Sequence, residues 1–239
     1  MRLYYYTSLK YGLAAIRDQR IKISHFDALN DPFDFIGIAT DTEEQRKQVE
    51  KRRDRLKANN GLICMSETWK SPLLWGHYAD CHKGVCLIFN VDDSSKWRKV
   101  NYTDQRKSLE DFGVDTINDL KGEDFTTLCS TKFEAWEYEQ EWRLFLKLRP
   151  ERKDFVDGNF FYKFSDKGGE VMRLDGIIFG ARCKIDDDTI EQFTDPIEEF
   201  RVGYVRPANS RFDIILDQPK TKPWIDKLVG ISYAWLNQK

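Results

Sequence analysis

Residues 61–91 read GLICMSETWKSPLLWGHYADCHKGVCLIFNV, and this stretch decides the class of fold. Gly61 to Ser66 is a short apolar run of the length of a buried strand. Ser71-Pro72 opens a helix, because proline in a first turn gives up only an N–H that would lack a partner there anyway. Leu74, Trp75, Tyr78 and Ala79 occupy one side of that helix, and Gly84 stops it. Val85 to Val91 (VCLIFNV) then returns as a second buried strand.

Working outward, this strand–helix–strand order does not repeat. Residues 3–8 (LYYYTS) read as a first strand, and Leu9 to Arg20 as a short helix with Leu9, Leu13 and Ile16 on one face. Ile21 to Ser24 alternates like a strand, and Asn30-Asp31-Pro32 breaks regular structure. Residues 41–59 are rich in Glu, Arg, Lys and Gln and read as a solvated helix. Residues 104–124 form a loop with a helical turn or two, and a helix over about 124–135 leads into a WEYEQEWRLFLKL strand. Arg149 to Asp154 is a charged turn, Phe155 to Phe164 a hairpin arm, and Asp175 to Gly180 (DGIIFG) a buried strand. A helix over Asp186 to Phe193 and strands near 199–205 and 212–216 complete the chain. Without a regular βαβ rhythm, the expectation is one α+β domain over residues 1–239, a twisted, mainly antiparallel or mixed sheet with flanking helices.

Composition narrows the function classes. Aromatic residues make up 14% of 239 residues, ample material for a large core. Charged residues make up 33%, yet the formal net charge is only −2, which gives no general electrostatic reason to bind nucleic acid or membrane. The five cysteines, at 64, 81, 86, 129 and 183, form no CxxC pair, and their odd number makes a poor disulfide framework. His77, Cys81, His82 and Cys86 cluster in sequence, but Cys86 falls in a strand pattern and reads as a small buried residue, so no metal site is expected. The N-terminal MRLYYYTSL lacks a signal-peptide apolar core and no apolar run reaches membrane length, so a cytoplasmic protein is expected. Neither GxGxxG nor GxxxxGK[ST] occurs.

Four groups of residues could carry chemistry. In Trp136-Glu137-Tyr138-Glu139-Gln140-Glu141-Trp142-Arg143, a strand would put Glu137, Glu139, Glu141 and Arg143 on one face and Trp136, Tyr138, Gln140 and Trp142 on the other. Three carboxylates sharing a face with one guanidinium are either a solvated outer side or a carboxylate pair used on a substrate or a metal. In Leu29-Asn30-Asp31-Pro32-Phe33-Asp34, Asn30 and Asp31 either initiate a turn or project toward a ligand. Ser66, Trp75, His77 and Tyr78 form a third group, in which Trp75 and Tyr78 lie one helical turn apart and could stack on a ring. Arg2 and Tyr5-Tyr6-Thr7-Ser8 form a fourth.

These pieces resemble a bacterial family known as domain of unknown function 2971. The matching segments are LYYYTS at 3–8, LNDPFD at 29–34, CMSE at 64–67, LLWGHYADCHKGVCLIF at 73–89, WEYEQEWR at 136–143 and GIIFG at 176–180. Their order is also similar to that of ADP-ribosyltransferase folds. That resemblance implies NAD as co-substrate, with Tyr5 and Thr7 in the first element and Ser66 and Tyr78 in the second. Trp75 and Tyr78 would sandwich the nicotinamide, and His77, by its helical position, is an exposed or pocket-edge group. The same resemblance implies Glu141, or Glu139, as the catalytic carboxylate. Arg143 beside them, and Asn30 and Asp31 as substrate-positioning residues on a rigid loop, are expected from the residues themselves. Tyr5 stands where such folds carry His or Arg. An ADP-ribosyltransferase or NAD glycohydrolase is therefore the first expectation. The alternatives are a non-catalytic nucleotide- or protein-binding module, and a Mg²⁺-dependent phosphodiester hydrolase built on Asp31, Asp34, Glu139 and Glu141.

Overall fold

The computed structural model describes residues 1–34, 37–91, 96–149, 155–164, 172–194 and 200–217. The chain divides into two compact units, one drawn from Met1–Arg20, Met65–Ser95 and Lys163–Lys239, the other from Ile21–Cys64 and Lys96–Tyr162. Both are α+β, with mainly antiparallel strand pairing, as the irregular rhythm of strands and helices predicts.

The first unit contains strand β1 (Arg2–Thr7), helix α1 (Leu9–Asp18), helix α3 (Pro72–Tyr78), strand β5 (Val85–Val91), strand β12 (Met172–Phe179), helix α5 (Asp187–Thr194), strand β13 (Arg201–Pro207) and strand β14 (Ile214–Leu216). Its sheet runs β14-β13-β12-β5-β1, antiparallel except where β13 lies parallel to β12. Strand β5 is central, and Val85 to Phe89 are inaccessible to solvent. Both of its faces are covered there, which explains the unbroken apolar run from Val85 to Phe89. On one face Cys86 and Ile88 pack with Tyr4, Trp75 and Ile178; on the other, the ring of Phe89 meets Phe164 edge-on at 5.0 Å.

Local chemistry sets the boundaries of these elements. The Ser8 side chain caps α1 by accepting from the Tyr11 N–H, and Gln19 ends it in the left-handed region. Gly84 is required where β5 begins, because a Cβ there would lie 2.2 Å from the Thr7 carbonyl oxygen. In β12 the pairing with β5 skips Asp175, a bulge whose buried carboxylate accepts from Arg201 at 2.9 Å and pairs with Arg173 at 2.9 Å.

The second unit contains strand β3 (Ser24–His25), helix α2 (Glu43–Asn59), most of strand β4 (Asn60–Ser66), strand β6 (Trp97–Lys99), strand β7 (Asn101–Thr103), helix α4 (Gly122–Cys129), strand β8 (Thr131–Phe133) and strand β9 (Glu141–Lys147). Strands run in the order β3-β4-β9-β6, and β7 and β8 form a separate parallel pair. A third small sheet joins strands β10 (Phe155–Val156), β11 (Asn159–Lys163) and β2 (Arg20–Lys22). Helix α2 is the expected charged helix, opened by a capping box between Thr42 and Gln45. Only Val49 on it is fully buried, packing with Ile38, Ile117, Leu120 and Leu128.

Two expectations for this unit need correction. The helix read over 124–135 ends at Cys129, and Thr131–Phe133 is a strand. The strand read from Trp136 begins only at Glu141: Glu134–Glu139 is a 3-10 helix, ended by Gln140 at φ 45°. The reason is local, since a left-handed residue at 140 cannot continue a strand, and the carboxylates before it are placed by a turn rather than by a pleat. The turn expected over Arg149–Asp154 lies, after Arg149, outside the described residues.

Replacing Gly84 by Ala is expected to destabilise the protein by about 2 kcal/mol or more, because the obstructing atoms are backbone and cannot step aside. Urea unfolding followed by tryptophan fluorescence measures this, and a midpoint equal to that of the unaltered protein would contradict it.

Candidate functional site

The most concentrated chemistry lies in the second unit, around Arg143. Strand β9 points Glu141, Arg143 and Leu144 inward and leaves Lys147 exposed. Arg143 is 0% exposed. Its Nε donates to Glu141 Oε1 at 2.9 Å and one terminal nitrogen to Glu141 Oε2 at 2.9 Å, a two-point grip on one carboxylate. The same terminal nitrogen donates to Asp34 Oδ1 at 2.7 Å, and the other donates to the Cys129 carbonyl at 2.9 Å.

A second cation completes the group. Lys132, on β8, places its Nζ 2.6 Å from Glu139, 3.5 Å from Glu141 and 3.9 Å from Asp34. The ammonium also lies 4.6 Å from the centre of the Trp136 ring. Asp34, Glu139, Glu141, Lys132 and Arg143 are all buried. Three carboxylates against two cations leave one negative charge in excess when all are ionised.

Burial would push the Glu141 carboxyl up, but Arg143, then Lys132 and a hydrogen bond with the Cys64 side chain, outweigh it and hold it down at about 2. Asp34 goes the other way: burial raises its pKa, and the attractions of Arg143 and Lys132 do not fully offset that. Of these two carboxyls, Asp34 takes a proton more readily. Burial opposes the charge on Lys132 and on Arg143, yet the surrounding carboxylates raise both above their ordinary values. The Tyr102 hydroxyl on β7 accepts from the Glu141 N–H at 2.9 Å, fixing the start of β9.

The position that a divalent ion would occupy among Asp34, Glu139 and Glu141 is filled by the Lys132 ammonium. Among the described residues, no group of three or more His, Cys, Asp or Glu is arranged to hold a metal ion.

Lys132 also helps line a cleft of about 260 Å³ beside the carboxyl ends of β7 and β8, together with Phe33, Thr103, Arg106, Thr131 and Phe133. Phe33 and Phe133 are exposed large apolar side chains, and the Arg106 guanidinium lies 4.9 Å from the centre of the Phe33 ring. Exposed aromatic rings and a cation around a concave surface suit a planar ligand with a charged appendage.

The residues singled out from sequence fall in both units. Glu139, Glu141 and Arg143 come together with Asp34 in the ion network. Asp31 makes the turn expected of it: its carboxylate accepts from the Phe33 N–H at 2.9 Å and its carbonyl from the Asp34 N–H at 3.1 Å, carrying Asp34 to Arg143. Asn30 is exposed nearby in sequence. Tyr5, Thr7, Ser66, Trp75, His77 and Tyr78 belong to the first unit. There Trp75 is a core residue, with no exposed surface, its indole N–H donating to the Trp69 carbonyl at 2.7 Å and its ring edge-on to Tyr6 at 5.2 Å. Ser66 is buried and accepts from the Thr68 N–H; His77 is exposed, with its ring 6.1 Å from that of Tyr78. Tyr5 and Thr7 are half-buried on β1.

Sequence reading missed Lys132, Phe133 and Arg106. The signal for Lys132 was present in Thr131-Lys132-Phe133, an alternating triplet read as the end of a helix. For Arg106, in an irregular loop, there was none.

Fold and site together define an α+β protein with a buried five-residue ion network beside a small aromatic cleft. Residues 74–144 match the model of the family described as "Protein of unknown function (DUF2971)", the family that the motifs resemble. The match takes in Lys132, Glu139, Glu141 and Arg143, and Asp34 lies outside it. No curated protein and no solved structure matches the chain.

Replacing Arg143 by Met is expected to cost about 3–5 kcal/mol, since it strands buried carboxylates without their main partner. Arg143→Lys is expected to recover only part of that, because an ammonium cannot make the two-point grip. Chemical denaturation of the three proteins side by side is the measurement.

The pH dependence has a definite sign. Glu141 binds its proton at about 2 when folded, against an ordinary value of 4.5, so in that window the unfolded chain binds more protons. The stability that Glu141 contributes is complete above about pH 5 and is lost as pH falls toward 2, on the order of 3 kcal/mol in all. Asp34, with its pKa raised, acts in the opposite sense, contributing less as pH rises through its folded value. The Glu141 part is read as the difference between the unaltered protein and Glu141→Gln, whose stability is expected to be flatter across that window.

Proposed function

We propose that this protein binds a nucleotide in the aromatic cleft of the second unit, ring first, and that NAD is the nucleotide that fits it best. The observation that carries this reading is a cleft that joins two exposed phenyl rings, Phe33 and Phe133, to the cations Lys132 and Arg106. A planar ring bearing a positive charge would meet attraction from the faces of the two phenyl rings. The nicotinamide ring of NAD has that character, and Arg106 and Lys132 would receive its phosphates. The likeness to ADP-ribosyltransferases rests on motif order, and it points to the same ligand.

A second reading, cleavage of the bound NAD, is favoured by one further observation. Glu139 stands directly behind the cleft, its Oε2 accepting at 2.6 Å from the Lys132 ammonium that lines it. When the bond between nicotinamide and ribose breaks, its electron pair leaves with the nicotinamide and positive charge develops on the ribose, which a nearby carboxylate stabilises. In this reading Glu139 takes that role, Glu141 holds Arg143 and Lys132 in place, and water or an acceptor group completes the reaction.

Titration calorimetry with NAD and NADH tests the binding reading, since reduction removes the positive charge of the ring. NAD is expected to bind about tenfold more tightly than NADH, and Phe33→Ala to weaken NAD by a similar factor. Equal affinities for the two, or an unchanged Phe33→Ala, would defeat it. Chromatographic measurement of nicotinamide release tests the second reading: release abolished in Glu139→Gln supports it, and no release from the unaltered protein leaves the binding module.

A further inference from the structure

We propose that a second pocket of the same unit, between α2, α4 and the end of β9, binds a compact oligophosphate of the nucleoside triphosphate class. The pocket has a volume of about 530 Å³, and four of its lining residues are cationic: Arg52, Arg55, Lys147 and Arg149. Among the described residues, no carboxylate lines it. Arg55, Lys147 and Arg149 are exposed, and none of the three is ion-paired with a carboxylate among the described residues. Four like charges around one concavity repel one another, and the arrangement gains most from an anion with several charges.

Arg52 makes the pocket a built one. Its two terminal nitrogens donate to the carbonyls of Ile117 and Leu120, both at 2.6 Å, and its guanidinium lies 4.2 Å from the centre of the Phe125 ring. The guanidinium is thus fixed before any ligand arrives, and fewer rotamers are lost on binding. The Leu148 N–H donates to the Asn59 carbonyl at 2.9 Å, which ties the end of α2 to the segment that carries Lys147 and Arg149. Burial and the neighbouring Arg55 both disfavour the charge on Arg52, so an anion at this place relieves a cost already present. Beside the cations, Asn60 and Asn118 offer amide groups and Leu56 an apolar surface, a mixture suited to a sugar or base attached to the phosphates.

The surroundings favour a compact ligand over a polymer. Along the adjoining groove on α2, Lys47, Lys51 and Arg55 are interrupted by Glu50 and Asp54. A nucleic-acid backbone laid there would meet carboxylates at every helical turn, whereas the positive charge is continuous only inside the pocket.

Titration of the full chain with inorganic tripolyphosphate, ATP and a short oligothymidylate tests this. Tripolyphosphate carries no ring, so its binding does not depend on the aromatic cleft. Tripolyphosphate and ATP are expected to bind with micromolar affinity that weakens as salt is added. The triple variant Arg55→Ala, Lys147→Ala, Arg149→Ala changes only exposed side chains and is expected to lose about a hundredfold in affinity. Absence of binding at millimolar tripolyphosphate and ATP, an affinity unchanged in the triple variant, or tighter binding of the oligonucleotide would each overturn the proposal.

Discussion

The second unit is organised around one guanidinium. Arg143 is out of contact with solvent and makes bonds to Glu141 on its own strand, to Asp34 beyond the Asp31 turn, and to the carbonyl of Cys129 where α4 ends. Three segments remote in sequence therefore meet through one side chain. Burying a cation with its partners is not by itself a gain in stability, since the cost of removing the charges from water can equal their attraction. What the arrangement provides is position. Any segment that fails to reach Arg143 leaves a buried charge without a partner, so alternative packings are penalised more heavily than the native one is rewarded.

Lys132 extends that constraint to the cleft. Its ammonium sits where three carboxylates converge, so the charge that borders the cleft is set by the framework and not by a mobile surface side chain. Such a site is preorganised: the reorganisation that a ligand would otherwise demand has been met during folding. The two exposed phenyl rings and Arg106 are the adaptable part, lying on loops and strand ends outside the buried group.

Much of the architecture was legible in the sequence because it depends on local rules. GLICMS and VCLIFNV announce covered strands by being apolar throughout, Ser71-Pro72 announces a helix start, and the charge run of 43–59 announces a helix with one buried residue. The importance of WEYEQEWR was legible as well, in the density of carboxylates beside an arginine. Its geometry was not. Strand parity assumed an extended backbone through residue 140, whereas the left-handed Gln140 separates a 3-10 helix from the strand. Which cation meets which carboxylate is a property of tertiary placement. Lys132 stands seven residues from Glu139 and Asp34 stands 109 from Arg143, and no period in the sequence encodes such a meeting.

The division of the chain also has a consequence for the order in which the molecule can be made. A chain emerging from its N-terminus presents both segments of the second unit, Ile21–Cys64 and Lys96–Tyr162, before β12 has been synthesised. The ion network can therefore close while the first unit still lacks β12, β13 and β14. During that interval β5 has β1 on one side, and its other edge, later covered by β12, is bare. An apolar strand with an open edge is a template for pairing with another chain. The exposure to misassembly thus lasts from the completion of β5 until β12 is made, and it falls on the apolar stretch VCLIFNV.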